Sequence, residues 1–168
     1  MPARKFLDWL DAPKNLKWID IGCGNGGFTE VLIARCVPAA VTGVDPSEGQ
    51  LGYARARPGA KRAEFRVADA QALPFPDNSF DAATMALVIV FIPDPRMAAR
   101  ELVRVVRPGG VVATYVWEFP DGFPPAPLAA DEGFGSWHRR SGRMYRLRRA
   151  VPCKRSGKKP GSPRSKPR

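Results

Sequence analysis

A short apolar run, KWIDI at Lys17–Ile21, ends directly in the glycine-dense GCGNGG of residues 22–27. Thr29 and Glu30 then open VLIARC, which has helical spacing and stops before Pro38. A strand that ends in closely spaced glycines must turn sharply, and a backbone without side chains can approach a ligand that a Cβ would repel. The segment therefore constrains the chain to a strand, a tight loop and a helix, with any ligand at the strand's carboxyl end. Gly22, Gly24 and Gly27 also satisfy the Gly-x-Gly-x-x-Gly pattern of dinucleotide sites. The loop alone therefore does not choose the ligand.

The following residues repeat the alternation. Residues 41–44 are apolar and stop at Asp45 and Pro46, and Ser47 is placed to cap the helix EGQLGYARAR, which ends at Pro58 and Gly59. Residues 64–67 form a third short strand ahead of Asp69, and LPFPDNSF, with its prolines, reads as a loop. A fourth strand over residues 81–86 leads into LVIVFI. Asp94 and Pro95 then make an N-cap and first helical residue. The spacing in RMAARELVRVV predicts that Met97, Leu102, Val105 and Val106 share one face, and Pro108-Gly109-Gly110 turns the chain into an apolar fifth strand at residues 111–117. Strands alternating with single helices predict a mostly parallel sheet covered on both faces, an α/β three-layer α-β-α sandwich.

Three acidic residues, one before the glycines and two after them, fall at strand ends on the same sheet edge. Asp45 closes the second strand about 20 residues after the loop, where a carboxylate accepts hydrogen bonds from ribose hydroxyls. Asp20 stands just before the first glycine, where it suits a cationic amine and repels a pyrophosphate. Asp69 ends the third strand, in place to accept from an adenine amino group; the alternative is a turn cap. No lysine or arginine in these motifs is placed to grip phosphate, so a cationic nucleoside fits better than a dinucleotide, and a nicotinamide-dependent oxidoreductase is disfavoured. Cys23 reads as a small loop filler, with no base near it.

WIDIGCGNGGFTE, GVDPSEGQLGYAR, VADAQALPFPDNSFD and ELVRVVRPGGVVATYVW resemble, in order, the motifs of class I S-adenosylmethionine-dependent methyltransferases, nearest the small-molecule ubiquinone/menaquinone (type 11) subgroup. The resemblance covers about residues 16–119. It implies a Rossmann-like fold and S-adenosyl-L-methionine as cofactor. Asp20, Gly22, Cys23, Gly24 and Gly26 would then lie at the methionine half and Asp45 at the ribose. Pro46 would lie beside the adenine, Asp69 and Ala70 at the adenine edge, and Met85 near the transferred methyl. The implied reaction is in-line methyl transfer to a small-molecule acceptor, with no general base assigned.

The remaining features concern the ends. Of 168 residues, 27 are Lys or Arg and 16 Asp or Glu, for a net +11, which by itself would point to nucleic acid. The charge is uneven: residues 1–120 carry 14 basic and 13 acidic side chains, and residues 121–168 carry 13 and 3. The body is nearly neutral. The division expected is a short N-terminal helical segment at 1–15, a cofactor-binding domain at 16–120, and a basic, largely disordered tail at 121–168 that lacks the family's last two strands. Three readings of that tail stay open: a nucleic-acid-binding arm, an inert extension, or a frame slip near Asp121, which is favoured over the other two. If the last strands are lost, a non-catalytic remnant becomes the alternative to an active enzyme; a nucleic-acid methyltransferase using the basic tail ranks below both, since ALVIVFIPDP lacks an Asn/Asp-Pro-Pro-aromatic signature. Cys23, Cys36 and Cys153 fit neither a disulfide framework nor a zinc site, and no run is long enough to span a membrane. A cytoplasmic protein without a leader is expected. His138, the sole histidine, lies in the basic segment and is given no role.

Overall fold

The computed structural model describes residues 2–116 and the backbone of residues 136–138 and 143–148. In chain order the elements are α1 (Pro2–Leu10), β1 (Lys17–Ile21), α2 (Gly27–Cys36), β2 (Ala40–Asp45), α3 (Glu48–Ala56), β3 (Ala63–Val67), β4 (Phe80–Ala86), α4 (Pro95–Val105), β5 (Val106–Val116), β6 (Ser136–His138) and β7 (Arg143–Arg148). The sheet order is β3-β2-β1-β4-β5-β7-β6. The first five strands are mutually parallel, β7 adds antiparallel to β5, and β6 adds antiparallel to β7.

The order reverses at β1, which pairs with β2 on one side and β4 on the other. The glycine loop leaves β1 at this switch point, where the two halves of an open α/β sheet diverge and leave a crevice.

Each face of the sheet has its own core. On one, Ile19 and Ile21 of β1 pack with Phe80, Ala83 and Met85 of β4 and with Ala98, Leu102 and Val105 of α4. On the other, Trp18 packs with Leu32 of α2 and with Phe6, Leu7 and Leu10 of α1. The Phe6, Phe28 and Tyr115 rings meet there at centroid separations of 4.6 to 6.1 Å, which ties α1 and α2 to β5. Burying side chains of this size stabilises by roughly 1.5–3 kcal/mol each. The short helical segment expected at the N-terminus thus packs into the core through Phe6, Leu7 and Leu10.

Several element boundaries differ from expectation. Helix α2 begins at Gly27, because Gly26 in the left-handed region already caps it. Met97 is 48% exposed, and α4 instead buries Ala98, Ala99, Leu102 and Val105. Small alanines let α4 approach the sheet closely, and a count of large apolar residues overlooks them. Residues 106–110 remain part of β5: Phe80 pairs with Val106 and Ala82 with Val111, so the Pro108-Gly109-Gly110 segment is a bulge.

Beyond residue 120 the sequence reading expected no strand, yet β7 pairs along β5 from Val111↔Arg148 to Val116↔Arg143, and β6 pairs with β7. The outer edge of β5 offers unpaired N–H and C=O groups that another backbone can satisfy whatever its side chains. Hydrophobic periodicity does not detect pairing of that kind. Trp117 and the remaining residues of the basic segment, on which its boundary, its disorder and its origin all turn, lie outside the described residues.

Candidate functional site

The loop after β1 is held by backbone bonds. The Gly22 and Cys23 N–H groups donate to the Val44 carbonyl at 2.8 and 3.0 Å, and the Gly26 N–H donates to the Cys23 carbonyl at 2.9 Å. Gly22, Gly24 and Gly26 all have positive φ, at 67°, 52° and 77°. Their surroundings differ. A Cβ on Gly22 would meet Val88 at 2.5 Å and one on Gly26 would meet Ala54 at 3.0 Å, whereas one on Gly24 would find only Gln50 Oε1 at 4.0 Å. Gly22 and Gly26 are glycines so that the loop can pack against its neighbours. Gly24 faces open space.

Asp45 closes β2 beside that opening. Its Oδ2 accepts from the Gly24 N–H and its Oδ1 from the Ser47 N–H, both at 2.9 Å. Each oxygen keeps a further lone pair, so the carboxylate is oriented without being used up. Ser47 in turn caps α3 by accepting from the Gln50 N–H. Pro46 is exposed beside Asp45. At the end of β3, Asp69 is exposed and Ala70 half-buried, and the Asp69 carbonyl closes a turn by accepting from the Ala72 N–H at 3.1 Å. The carboxylate of Asp69 also accepts from the Gln71 N–H at 2.8 Å. The turn-cap role of Asp69 is therefore present in the structure, and it leaves the carboxylate at the surface.

Asp20 does not line this opening. Its side chain is 1% exposed, on the face of β1 that Trp18 shares, where α2 covers the sheet. The Thr29 hydroxyl donates to it at 2.6 Å and the Thr84 hydroxyl at 3.5 Å. Burial pushes its pKa up to about 7 against these two hydroxyls, and the Asp45 charge adds to the rise. Strand alternation explains the difference from expectation: a residue two before the loop points into a layer, not out of the edge.

The Cys23 side chain is buried with Leu51, Ala54 and Phe65, and burial raises its thiol pKa, so it fills space beneath the loop. Met85 is 1% exposed in the β4–α4 core, and its carbonyl accepts from the Thr114 hydroxyl at 2.5 Å. Its side chain is not available at the sheet edge. Val88, which the sequence reading passed over, instead packs against the glycine loop from the β4 side. The signal lay in the apolar LVIVFI run, whose residues cannot all face the core.

Two arginines beside the loop are engaged. Arg57 donates to the Asn25 carbonyl and pairs with Glu30 at 2.9 Å, and Glu30 also accepts from the Gly59 N–H. Arg55 pairs with Glu48 and donates to the Phe65 carbonyl. These bonds brace the loop and leave both side chains committed. The opening thus combines a close-approach backbone with acceptor carboxylates, a set suited to ribose hydroxyls and an amino-bearing base. Among the described residues no cluster of His, Cys, Asp and Glu is placed to hold a metal ion.

Residues 19–114 match the family described as "Methyltransferase domain". The chain is 39% identical over 116 residues to the 2-methyl-6-phytyl-1,4-hydroquinone methyltransferase of Synechocystis, covering 68% of this chain and 36% of that protein. It is 40% identical over 111 residues to the demethylmenaquinone methyltransferase of Clavibacter sepedonicus, covering 66% and 43%. The chain thus spans less than half the length of these curated relatives. A SAM dependent methyltransferase from Aquifex aeolicus has the same fold, with a TM-score of 0.69 over 86% of each chain at 22% identity.

Proposed function

The chain belongs to the methyltransferase-domain family, and from that membership we propose that it transfers the methyl group of S-adenosylmethionine to a small-molecule acceptor. The observation that carries the proposal is the pairing of Gly24 with Asp45. An open-faced left-handed glycine lies against a carboxylate that accepts its N–H at 2.9 Å and keeps lone pairs free. A Cβ at Gly24 would fill that cradle, and a cationic or apolar residue at 45 could not accept from a ribose.

When bound, S-adenosylmethionine supplies a sulfonium-activated methyl group, so the protein's work is positioning and exclusion of water. In this reading Asp45 accepts from the ribose hydroxyls, Pro46 lies beside the adenine, and Asp69 with the Ala70 backbone meets the adenine edge. Asp20 acts indirectly. It locks the first turn of α2 to β1 through Thr29 and so holds the loop's shape. The Tyr115 hydroxyl is no base, since burial raises its pKa to about 12.

The acceptor is proposed to be largely apolar. Val90 and Phe91 are 36% and 81% exposed on the connection from β4 to α4, which also carries the Val88 that covers the loop, and Met97 is 48% exposed in the first turn of α4. Exposed apolar side chains gathered on one connection support an apolar ligand or surface. Two relatives are named for substrates of that kind, a phytyl hydroquinone and demethylmenaquinone.

The test is incubation with methyl-labelled S-adenosylmethionine and a prenylated hydroquinone, followed by solvent extraction. Label in the organic phase that depends on Asp45 is expected. Retention of all label in the aqueous phase with every apolar acceptor would overturn the proposal.

A further inference from the structure

Strand order says where an acceptor would meet the cofactor. Asp69, Asp45 and the glycine loop stand at or just past the carboxyl ends of β3, β2 and β1, which are adjacent in the sheet. A ligand laid from Asp69 through Asp45 to the loop points its far end at the next strands in that order, β4 and then β5.

Tyr115 stands there. It pairs with Ala86, the last residue of β4, and its carbonyl accepts from the Leu87 N–H at 2.9 Å. Its ring lies on the α1–α2 face of the sheet, 4.6 Å from Phe6 of α1 and 6.1 Å from Phe28 in the first turn of α2. Tyr115 is only 8% exposed, yet its hydroxyl makes no hydrogen bond to the described residues. Nor is that oxygen sealed from solvent: among the described residues Trp18 Nε1 is the one side-chain polar atom both enclosed and unpartnered. A buried tyrosine ordinarily bonds its O–H, and a ring that only filled space would serve as well without one. The hydroxyl thus reaches an opening from within an aromatic wall. Burial, to which the Asp20 charge adds, raises its pKa to about 12, so at neutral pH it keeps its proton and can donate.

Leu87 marks the same place independently. It is a bulky residue in the left-handed region, with φ at 62°. Such backbone strain persists where the surrounding structure enforces it, and it gathers at ligand sites. The turn divides two neighbours between the faces of the sheet: Leu87 packs with the α1–α2 core, and Val88 with the α4 core and the glycine loop.

We propose that Tyr115 is a specificity-determining residue of the acceptor subsite, donating a hydrogen bond to the oxygen of a flat aromatic acceptor that packs against Phe28 and Leu87. This rests on the methyl-transfer reading above, and it narrows the apolar acceptors to those whose ring bears a hydroxyl. An acceptor without that oxygen leaves the Tyr115 hydroxyl dehydrated and unpaired.

The experiment is equilibrium dialysis of the full chain, saturated with S-adenosylhomocysteine, against α-naphthol and α-methylnaphthalene, which differ by a hydroxyl in place of a methyl. Tyr115→Phe is expected to lower the naphthol-to-methylnaphthalene affinity ratio by about tenfold, the scale of one hydrogen bond, and to leave S-adenosylhomocysteine binding unchanged. A role in packing alone would move both probes together and keep their ratio. That result, or failure of α-naphthol to bind the unsubstituted chain, would overturn the proposal and spare the methyl-transfer reading. Failure of S-adenosylhomocysteine to bind would overturn both.

A second measurement on the unsubstituted chain does not depend on the variant folding. In the chain labelled with carbon-13 at tyrosine Cζ, the Tyr115 resonance should shift with α-naphthol by more than with α-methylnaphthalene. Equal shifts with the two probes, or none with either, would overturn the proposal.

Discussion

Asp20 is expected from the sequence at the methionine half of the cofactor, and the fold buries its side chain beneath α2. Its type and position next to the first glycine were legible, but its direction was set by strand alternation and by the packing of α2, which only the fold supplies. Its raised pKa, about 7 in the folded chain, has a definite thermodynamic sign. An unfolded aspartate titrates near about 3.9, so between roughly pH 4 and 7 the folded state holds a proton that the unfolded state has lost. The contribution of Asp20 to stability therefore falls as pH rises through that window and is flat above it. Relative to Asp20→Asn, the unsubstituted chain should lose on the order of 4 kcal/mol between pH 4 and pH 8 in denaturant titrations. A difference that stays constant with pH would contradict the buried assignment. Gly22 offers a second test at this scale. Gly22→Ala combines a positive φ with a Cβ 2.5 Å from Val88, and should destabilise by about 2 kcal/mol or more. Adding Val88→Ala should recover only the steric part, because the backbone strain remains.

At the scale of elements, α4 organises the loop that follows β3. Arg104 donates to the carbonyls of Leu73 and Phe75 and pairs with Asp77 and Glu101, while Glu101 accepts from the Leu73 N–H at 2.7 Å. The first turn of the same helix holds Gln71 through Asp94. The prolines of LPFPDNSF identified a loop in the sequence, but not that a helix some thirty residues on would pin it. That information resides in side-chain bonds across the fold. Arg104→Lys should destabilise by roughly 2 kcal/mol in chemical denaturation and should not rescue Arg104→Ala, since an ammonium cannot serve two carbonyls and two carboxylates at once. Equal stability of Arg104→Lys and the unsubstituted chain would show that the planar fork is dispensable. The strand–loop–helix order of the first five strands was legible because apolar runs, glycines and caps recur in register with the elements. Ser47 and Asp94 cap their helices as their residue types predict.

For the whole molecule, the uneven charge marked a nearly neutral body and a basic C-terminal segment, and the body is the part that matches the family. Pairing of β7 with β5 was not legible, because it rests on backbone groups in a segment of low apolar periodicity. A chain ending at residue 116 would bare the β5 edge, and should form concentration-dependent oligomers in sedimentation experiments where the full chain does not. A monodisperse truncated chain would show that the edge needs no cover. The candidate site was readable as a set of positions, Gly24, Asp45 and Asp69 above all, since sequence distance along an alternating α/β chain maps onto one sheet edge. The partners of those positions, Gln50, Val88 and Gln71, come from packing. The most direct test of the account is calorimetric titration of the full chain with S-adenosylhomocysteine, beside Asp45→Ala. Saturable binding, weakened by about a hundredfold in the variant through loss of two charge-assisted hydrogen bonds, is the expected result. Binding that is unchanged by Asp45→Ala would contradict it.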